Sequence, residues 1–347
     1  MNKEVDDTAQ NETAEAILRR LEWTVLKRLD GLLQGDYRTL FRGFGLDFAG
    51  LREYQHEDDV RYIDWNVTAR MGTPYVRQFS EDRDMNAWFL VDLSPSSDFG
   101  SSRRRTRAAS VTGTLAASVT RTLAASVTGT PAASPVTKRD ISSQFVALLA
   151  RLLSQHGNRT GAMLYGSIVD TVIPPRCDRR HVLHLLHRMR HRPVLGAVGP
   201  TRLDVLLRRA AETLKRRSAV FLVSDFISEP GWEKPLAQLA QRHDVVAVHV
   251  TDPLEQTLPD LGLITMEDPE TGEQLFVDTS DKGFRQRFEA MAIESERALQ
   301  ATFTRLGVDA LTLRTDQSLL DSIAGFAQRR KRERGQSNVN QPAFKAA

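Results

Sequence analysis

Two rhythms of apolar and polar positions run along this chain. Between Glu12 and Leu33 the residues Ala14, Ile17, Leu18, Leu21, Val25 and Leu29 recur at three- and four-residue steps, with Gly31 and Gly35 beyond them. That spacing predicts an amphipathic helix closed by glycine. From Phe41 to Phe79 the periodicity fades into a stretch rich in Gly, Asp, Arg and aromatics, read as loops and short strands such as Tyr75-Val76-Arg77-Gln78-Phe79. The second rhythm then begins. Asn86 to Val91 is a compact apolar run, as expected of a strand buried on both faces. Similar runs recur at Ala162 to Val169, Ala219 to Val223, Val245 to Val250 and Ala310 to Leu313. Helical patterns separate them at 141 to 155, 179 to 190, 202 to 216, 232 to 242, 282 to 305 and 317 to 330. Strands alternating with helices predict an α/β fold with a doubly wound, mostly parallel sheet flanked by helices. Leu261 to Val277 breaks the alternation and reads as a hairpin turning through Asp268-Pro269-Glu270-Thr271-Gly272, a surface elaboration.

Residues 108 to 137 follow neither rhythm. An octapeptide recurs there as AASVTGTL, AASVTRTL and AASVTGTP, then decays to AASPVT. Units so short cannot bury a core, and β-branched residues with Gly and Pro disfavour helix, so the repeat reads as an expanded surface loop. The domain plan is therefore an N-terminal helix and polar segment over 1–85, an α/β domain over 86–330 interrupted by a low-complexity insertion at 102–138, and a disordered basic and polar tail over 331–347.

Composition narrows the function classes. With 347 residues, 41% of them hydrophobic, the chain can bury one large core. A net charge of +3 gives no whole-molecule case for nucleic acid, although Arg103 to Arg107 and Arg329 to Arg334 are local basic runs. The single cysteine, Cys177, excludes an internal disulfide and fits a reducing compartment. The acidic, polar start and the lack of any 18-residue apolar window lead to the expectation of a cytoplasmic protein without a membrane span.

The candidate chemistry sits at the ends of the apolar runs. In open α/β sheets, ligands bind beyond the carboxyl ends of the strands where the strand order reverses. Asp92-Leu93-Ser94-Pro95-Ser96 follows the first run, and Ser224-Asp225-Phe226 follows the run AVFLV. In the usual winding these two strands are neighbours, so two carboxylates flank one crevice, an arrangement that needs a proton or a cation. Ser94 and Ser96 add hydroxyls on the same side, and Thr201, before the helix from Leu203, adds another. A donor set of oxygens alone points to a hard ion, Mg2+ or Mn2+. Four histidines, His181, His184, His187 and His191, fall on or beside one predicted helix, but Val182, Leu185, Leu186 and Met189 form its buried stripe, leaving the histidines on a solvated face.

The pattern Asp-x-Ser-x-Ser, a distant Thr and a distant Asp resembles the metal-ion-dependent adhesion site of the von Willebrand factor A fold, with Asp92, Ser94 and Ser96, Thr201 and Asp225 at the matching positions. Residues 42 to 84 carry Tyr54, Asp58, Asp59, Arg61, Ile63, Asp64 and Trp65 in a Tyr-x-x-x-Asp-Asp-x-Arg-x-Ile-Asp-Trp order similar to the signature of the domain-of-unknown-function 58 family. Asp58, Asp59, Asp64, Arg61 and Arg70 are expected to form a charged network. The resemblance implies a non-enzymatic, metal-dependent interaction scaffold acting with a MoxR-type AAA+ ATPase on a client protein, with an acidic residue of the partner completing the metal shell. Two departures stand out. Ser97 occupies a position where such proteins usually carry Met, and the repeat separates the Ser-x-Ser turn from the helix that normally follows at once, which would loosen or cover the site. The enzyme alternative is a magnesium-dependent phosphohydrolase using Asp92 and Asp225. Ser94 stands where such enzymes place a second Asp, and the chain has neither a GxGxxG turn after the first strand nor a GxxxxGK[ST] loop.

Overall fold

The computed structural model of the chain describes residues 47–55, 60, 63–80, 86–100, 102–103, 135–191 and 199–339. The helix expected over 12 to 33, Asp58, Asp59 and Arg61, and the repeat up to residue 134 lie outside them. In the signature segment, β1 (Asp47–Glu53) and β2 (Tyr75–Ser80) pair antiparallel, with α1 (Trp65–Met71) between them in sequence. Of the expected charged network, Asp64 serves as the cap of α1, accepting the N–H groups of Asn66 and Val67 at 3.1 and 3.2 Å, and Arg70 is exposed in its last turn.

The central sheet begins with β3 (Asn86–Asp92). Two-residue strands β4 (Ser102–Arg103) and β5 (Pro135–Val136) follow, then α2 (Lys138–Gln155), β6 (Arg159–Tyr165), β7 (Val169–Arg176), α3 (Arg179–Arg190), α4 (Leu203–Thr213) and β8 (Ala219–Ser224). The chain continues through α5 (Glu233–Arg242), β9 (Asp244–Thr251), the short α6 (Pro253–Gln256), the hairpin of β10 (Leu263–Glu267) and β11 (Gln274–Asp278), α7 (Lys282–Leu306), β12 (Asp309–Arg314) and α8 (Leu319–Val339). Among the described residues, six strands form the sheet in the order β12-β9-β8-β3-β6-β7, all parallel except β7. The predicted α/β architecture, a mostly parallel sheet with helices on both faces, is what the chain adopts. The order of strands reverses between β3 and β8, and their carboxyl ends are the place where open α/β sheets form a crevice.

Strand periodicity divides the core. Ala87, Phe89 and Val91 of β3 pack with Phe145, Leu148 and Leu152 of α2, Leu185 of α3 and Phe326 of α8. Trp88 and Leu90 face the other way, into Leu203, Leu206 and Leu207 of α4, Leu236 of α5 and Phe303 of α7. Phe89 and Phe221 stack across β3 and β8 with centroids 5.4 Å apart. On the α8 side, Arg330 is 3% exposed and bonds Asp309 at 2.6 Å and Asp244 at 3.1 Å, tying the helix to β12 and β9.

Three expectations need correction. The run expected over Ala162 to Val169 is two strands, β6 and the antiparallel β7, which contains Pro174 and Pro175 and so reads as a loop in sequence; proline is tolerated there because the strand is an edge. Gly161 permits the close approach, since a Cβ there would lie 2.9 Å from the Ile173 carbonyl. The last helix runs through Val339, so the segment expected as a tail from 331 begins as helix, continuing through RRKRER (329–334), a run of strong helix formers. Finally, His181 is not on a solvated face. It is buried, with its Nε2 2.6 Å from the Thr160 carbonyl, whereas His184 is exposed and the rings of His187 and His191 stack at 4.1 Å.

Candidate metal centre at the sheet switch point

β3 ends on Asp92, and the Leu93 N–H bonds the Tyr165 carbonyl at the end of β6, fixing where the chain turns. Pro95 opens a single 3-10 turn, Pro95–Asp98, which brings the hydroxyls of Ser94 and Ser96 within 3.1 Å of each other. The Asp92 carboxylate is held from two sides: Ser94 N–H donates to Oδ1 at 3.0 Å and Ser224 Oγ–H to Oδ2 at 2.7 Å. On the neighbouring strand, Asp225 follows β8, and Phe226 turns the chain with a left-handed φ of 59°. That conformation costs a non-glycine residue about 1–2 kcal/mol. Burial of the Phe226 ring against Trp232 and Phe303, with centroids at 5.5 and 4.9 Å, offsets it.

The insertion does not loosen this turn. The Lys138 N–H donates to the Phe99 carbonyl at 2.9 Å, and β4 pairs with β5, so the chain leaves and returns at one point. Gly100 is required at the crossing, where a Cβ would fall 2.2 Å from the Val136 carbonyl oxygen. Thr137 then starts α2 through a reciprocal capping box with Asp140. The helix therefore begins beside the Ser-x-Ser turn.

Sequence reasoning missed Lys138, the first residue of that helix. Its side chain is 2% exposed, and Nζ donates to Asp225 and to Glu255 of α6, both at 2.6 Å. Burial works to lower the lysine pKa, but the two carboxylates prevail and hold it above the ordinary lysine value. Burial likewise works to raise Asp225, and Lys138 reverses it, keeping this carboxyl below the ordinary range. Asp92 has no such cation against it among the described residues. Burial, then the neighbouring charge of Asp225, push its pKa up to about 6.

Thr201 lies on the same edge, fixed by Ser228 Oγ–H donating to its carbonyl at 3.0 Å. Its N–H and hydroxyl both donate to Glu270, each at 2.6 Å. Glu270 belongs to the hairpin turn and is buried, so that hairpin is more than a surface elaboration. No local signal ties Glu270 to the site, because its partner is 69 residues away in sequence.

Two spaces adjoin these groups. A small cavity, about 10 Å³ as room for the centre of a water-sized sphere, is bordered by Asp92, Ser94, Ser97, Lys138, Ser224 and Asp225. It suits a single water or small ion. The buried Ser97 hydroxyl borders it without a hydrogen-bond partner among the described residues. Outside it, a groove of about 600 Å³ runs past Ser96, Lys138 and Thr201 to Ile227, Glu255, Glu270 and Phe288. Asp92, Ser94 and Asp225 thus share the inner space and Ser96 and Thr201 the outer one, with Lys138 between. Of the carboxylates at this edge, Asp225 and Glu255 share the ammonium of Lys138, while Asp92 and Glu270 are buried without an ion pair among the described residues. An oxygen donor set with surplus negative charge and an unpaired hydroxyl fits a hard divalent cation.

Comparison with known proteins adds relatives. The family described as "Protein of unknown function DUF58" matches residues 50–131 and 123–298, two stretches that meet inside the repeat. Uncharacterized proteins of Mycobacterium bovis (Mb1516) and Mycobacterium tuberculosis (Rv1480) are each 32% identical over 317 residues, covering 91% of this chain and 90% of theirs. Among solved structures, a conserved hypothetical protein BatB from Bacteroides thetaiotaomicron aligns with 12% identity and a TM-score of 0.40 over 72% of this chain and 99% of its own. The von Willebrand A domain of SpRpn10 aligns with 12% identity and a TM-score of 0.34 over 69% and 93%.

Proposed function

We propose that this chain, which belongs to the DUF58 family, is a divalent-metal-dependent interaction scaffold and not an enzyme. Asp92, Ser94, Ser96 and Thr201 would hold Mg2+ or Mn2+, with Asp225 in direct or water-mediated support. An acidic side chain of the partner completes the coordination shell, and the partner is a MoxR-type AAA+ ATPase acting on a client protein in maturation or assembly. The observation that carries the metal reading is the buried Asp92 beside Asp225, with one ammonium for the pair and an ion-sized cavity against both. The phosphohydrolase alternative is less well supported. Both oxygens of Asp92 already accept hydrogen bonds, from Ser94 and Ser224, which blunts a nucleophile.

Calorimetric titration of Mg2+ and Mn2+ into the full chain and its Asp92→Ala variant tests the site, and capture of a purified MoxR-type ATPase at saturating metal tests the partner. Binding that disappears in the variant, with capture that requires metal, is the expected result. Equal titrations for the two proteins would overturn the reading.

A further inference from the structure

The site's own chain already places a carboxylate where the scaffold reading puts the partner's. Glu270 engages Thr201 with both oxygens, one on the amide and one on the hydroxyl, each at 2.6 Å, and is 6% exposed. Thr201, Ser96 and Glu270 line the same groove, so a carboxylate entering from outside meets this one at the threonine.

The delivery of Glu270 is local and built. Asp268 shapes the turn: its Oδ1 accepts the Glu270 N–H at 2.9 Å, its Oδ2 accepts the Thr271 hydroxyl at 2.8 Å, and its carbonyl accepts the Gly272 N–H at 2.8 Å. The turn docks through the two Thr201 bonds and a third from the Gly199 N–H to the Glu270 carbonyl at 3.1 Å. Behind the turn, β10 and β11 pair only with each other among the described residues, and Leu263, Leu275 and Phe276 are 73%, 64% and 73% exposed. A two-stranded hairpin of this kind gains little stability of its own. Its turn is docked at Thr201, and its base is tied to α7, where Arg285 donates to the Thr279 carbonyl at 2.5 Å and Val277 and Thr279 are buried.

We infer that the hairpin β10–β11 is a built-in competitor for the metal centre: Glu270 occupies the Thr201 side of the coordination space, and a partner carboxylate gains access only by displacing it. This rests on the scaffold reading and adds its regulation. A second carboxylate finds no donor on Thr201 while Glu270 is docked, because the Thr201 N–H and hydroxyl both bond Glu270, and Glu229, Glu255 and Asp268 add further negative charge to the groove. Whatever draws the turn away, for example a contact on the side that exposes Leu263 and Phe276, opens the site.

The test uses Mn2+ as the metal and acetate as the probe, with paramagnetic relaxation of the acetate methyl protons reporting binding next to the ion. The full chain, Glu270→Ala, Glu270→Gln and Asp92→Ala are compared after far-UV circular dichroism confirms folding. The expected result is Asp92-dependent Mn2+ binding in the full chain and both Glu270 variants, with acetate binding at least about ten times tighter in Glu270→Ala than in the unaltered chain, a gain of about 1.4 kcal/mol. Glu270→Gln, which retains the shape and loses the charge, falls between them. Mn2+ binding with unchanged acetate relaxation in Glu270→Ala overturns the competitor and leaves the scaffold reading standing. Loss of Mn2+ binding in Glu270→Ala overturns it also, since Glu270 is then a ligand and not a rival. No Mn2+ binding by any of the four proteins overturns both.

Discussion

Lys138 offers the sharpest test of how the site is held together. A lysine at the first position of α2 sits at the positive end of the helix dipole, where a cation is disfavoured by about 0.3–1 kcal/mol, so helix stability does not account for it. What accounts for it is Asp225. The lysine side chain is 2% exposed and the aspartate 5%, with 2.6 Å between Nζ and Oδ2, whereas Glu255 is 24% exposed and partly solvated. Replacing Lys138 by Met fills the space and strands the Asp225 charge, a loss of about 3–5 kcal/mol for a buried pair. Because the lysine pKa is raised in the folded protein, its contribution is complete below the unfolded value near 10.5 and is lost only as pH rises above that, so measurements at about pH 7 report all of it. Urea denaturation without metal is the assay. Lys138→Met should lose about 3–5 kcal/mol, Asp225→Asn should also destabilise, and the double variant should recover to within about 1–2 kcal/mol of the unaltered chain, because neither charge is left alone. Mg2+ should stabilise Lys138→Met more than the parent by binding the carboxylate pair that the ammonium no longer neutralises. A Lys138→Met chain within about 1 kcal/mol of the parent, or a double variant no better than it, would refute the account.

Asp92 gives a pH prediction of definite sign. With a pKa raised to about 6, this group favours the metal-free fold below the unfolded value near 3.8 and withdraws that support as pH rises through 6, while metal needs the carboxylate ionised. Calorimetry should therefore show Mg2+ affinity falling roughly tenfold per pH unit below about 6, and a flat profile from about pH 5 to 7 would contradict the burial argument. Replacing residues 104–134 with Asn-Gly, to join β4 to β5 as a hairpin, should leave unfolding free energy within about 1 kcal/mol and Mg2+ affinity unchanged. A lost metal titration in that variant would show that the insertion shapes the site. Arg330→Met removes the cation shared by Asp244 and Asp309 and should cost about 3 kcal/mol, with hydrogen exchange rising first in α8.

The sequence made the sheet legible because its central strands are buried on both faces, so β3, β8 and β9 appear as uninterrupted apolar runs. Asp92, Ser94, Ser96 and Asp225 could be placed at one sheet edge because residues just after neighbouring strands inherit their position from the winding, and Thr201 reaches that edge from the start of α4. β7 was hidden because an exposed edge strand neither needs apolar continuity nor excludes proline. Lys138 was hidden by the repeat, which separates in sequence what the Phe99 to Lys138 hydrogen bond joins in space. Glu270 was hidden for a different reason. Its turn was read correctly from Asp268-Pro269-Glu270-Thr271-Gly272, but where a turn docks is a tertiary fact that local chemistry does not encode.

The prolines of β7 bear on how the molecule keeps apart from its own copies. An outermost strand offers a free row of hydrogen-bonding groups to any other chain, and a sheet already assembled is an efficient template for one more strand. Pro174 and Pro175 each remove an amide donor and stiffen the backbone, while Arg176 adds charge at the end of the strand. The same residues that concealed this strand in the sequence thus act as a terminator of sheet growth, and Pro174→Val with Pro175→Val would be expected to yield a chain that folds but self-associates on concentration.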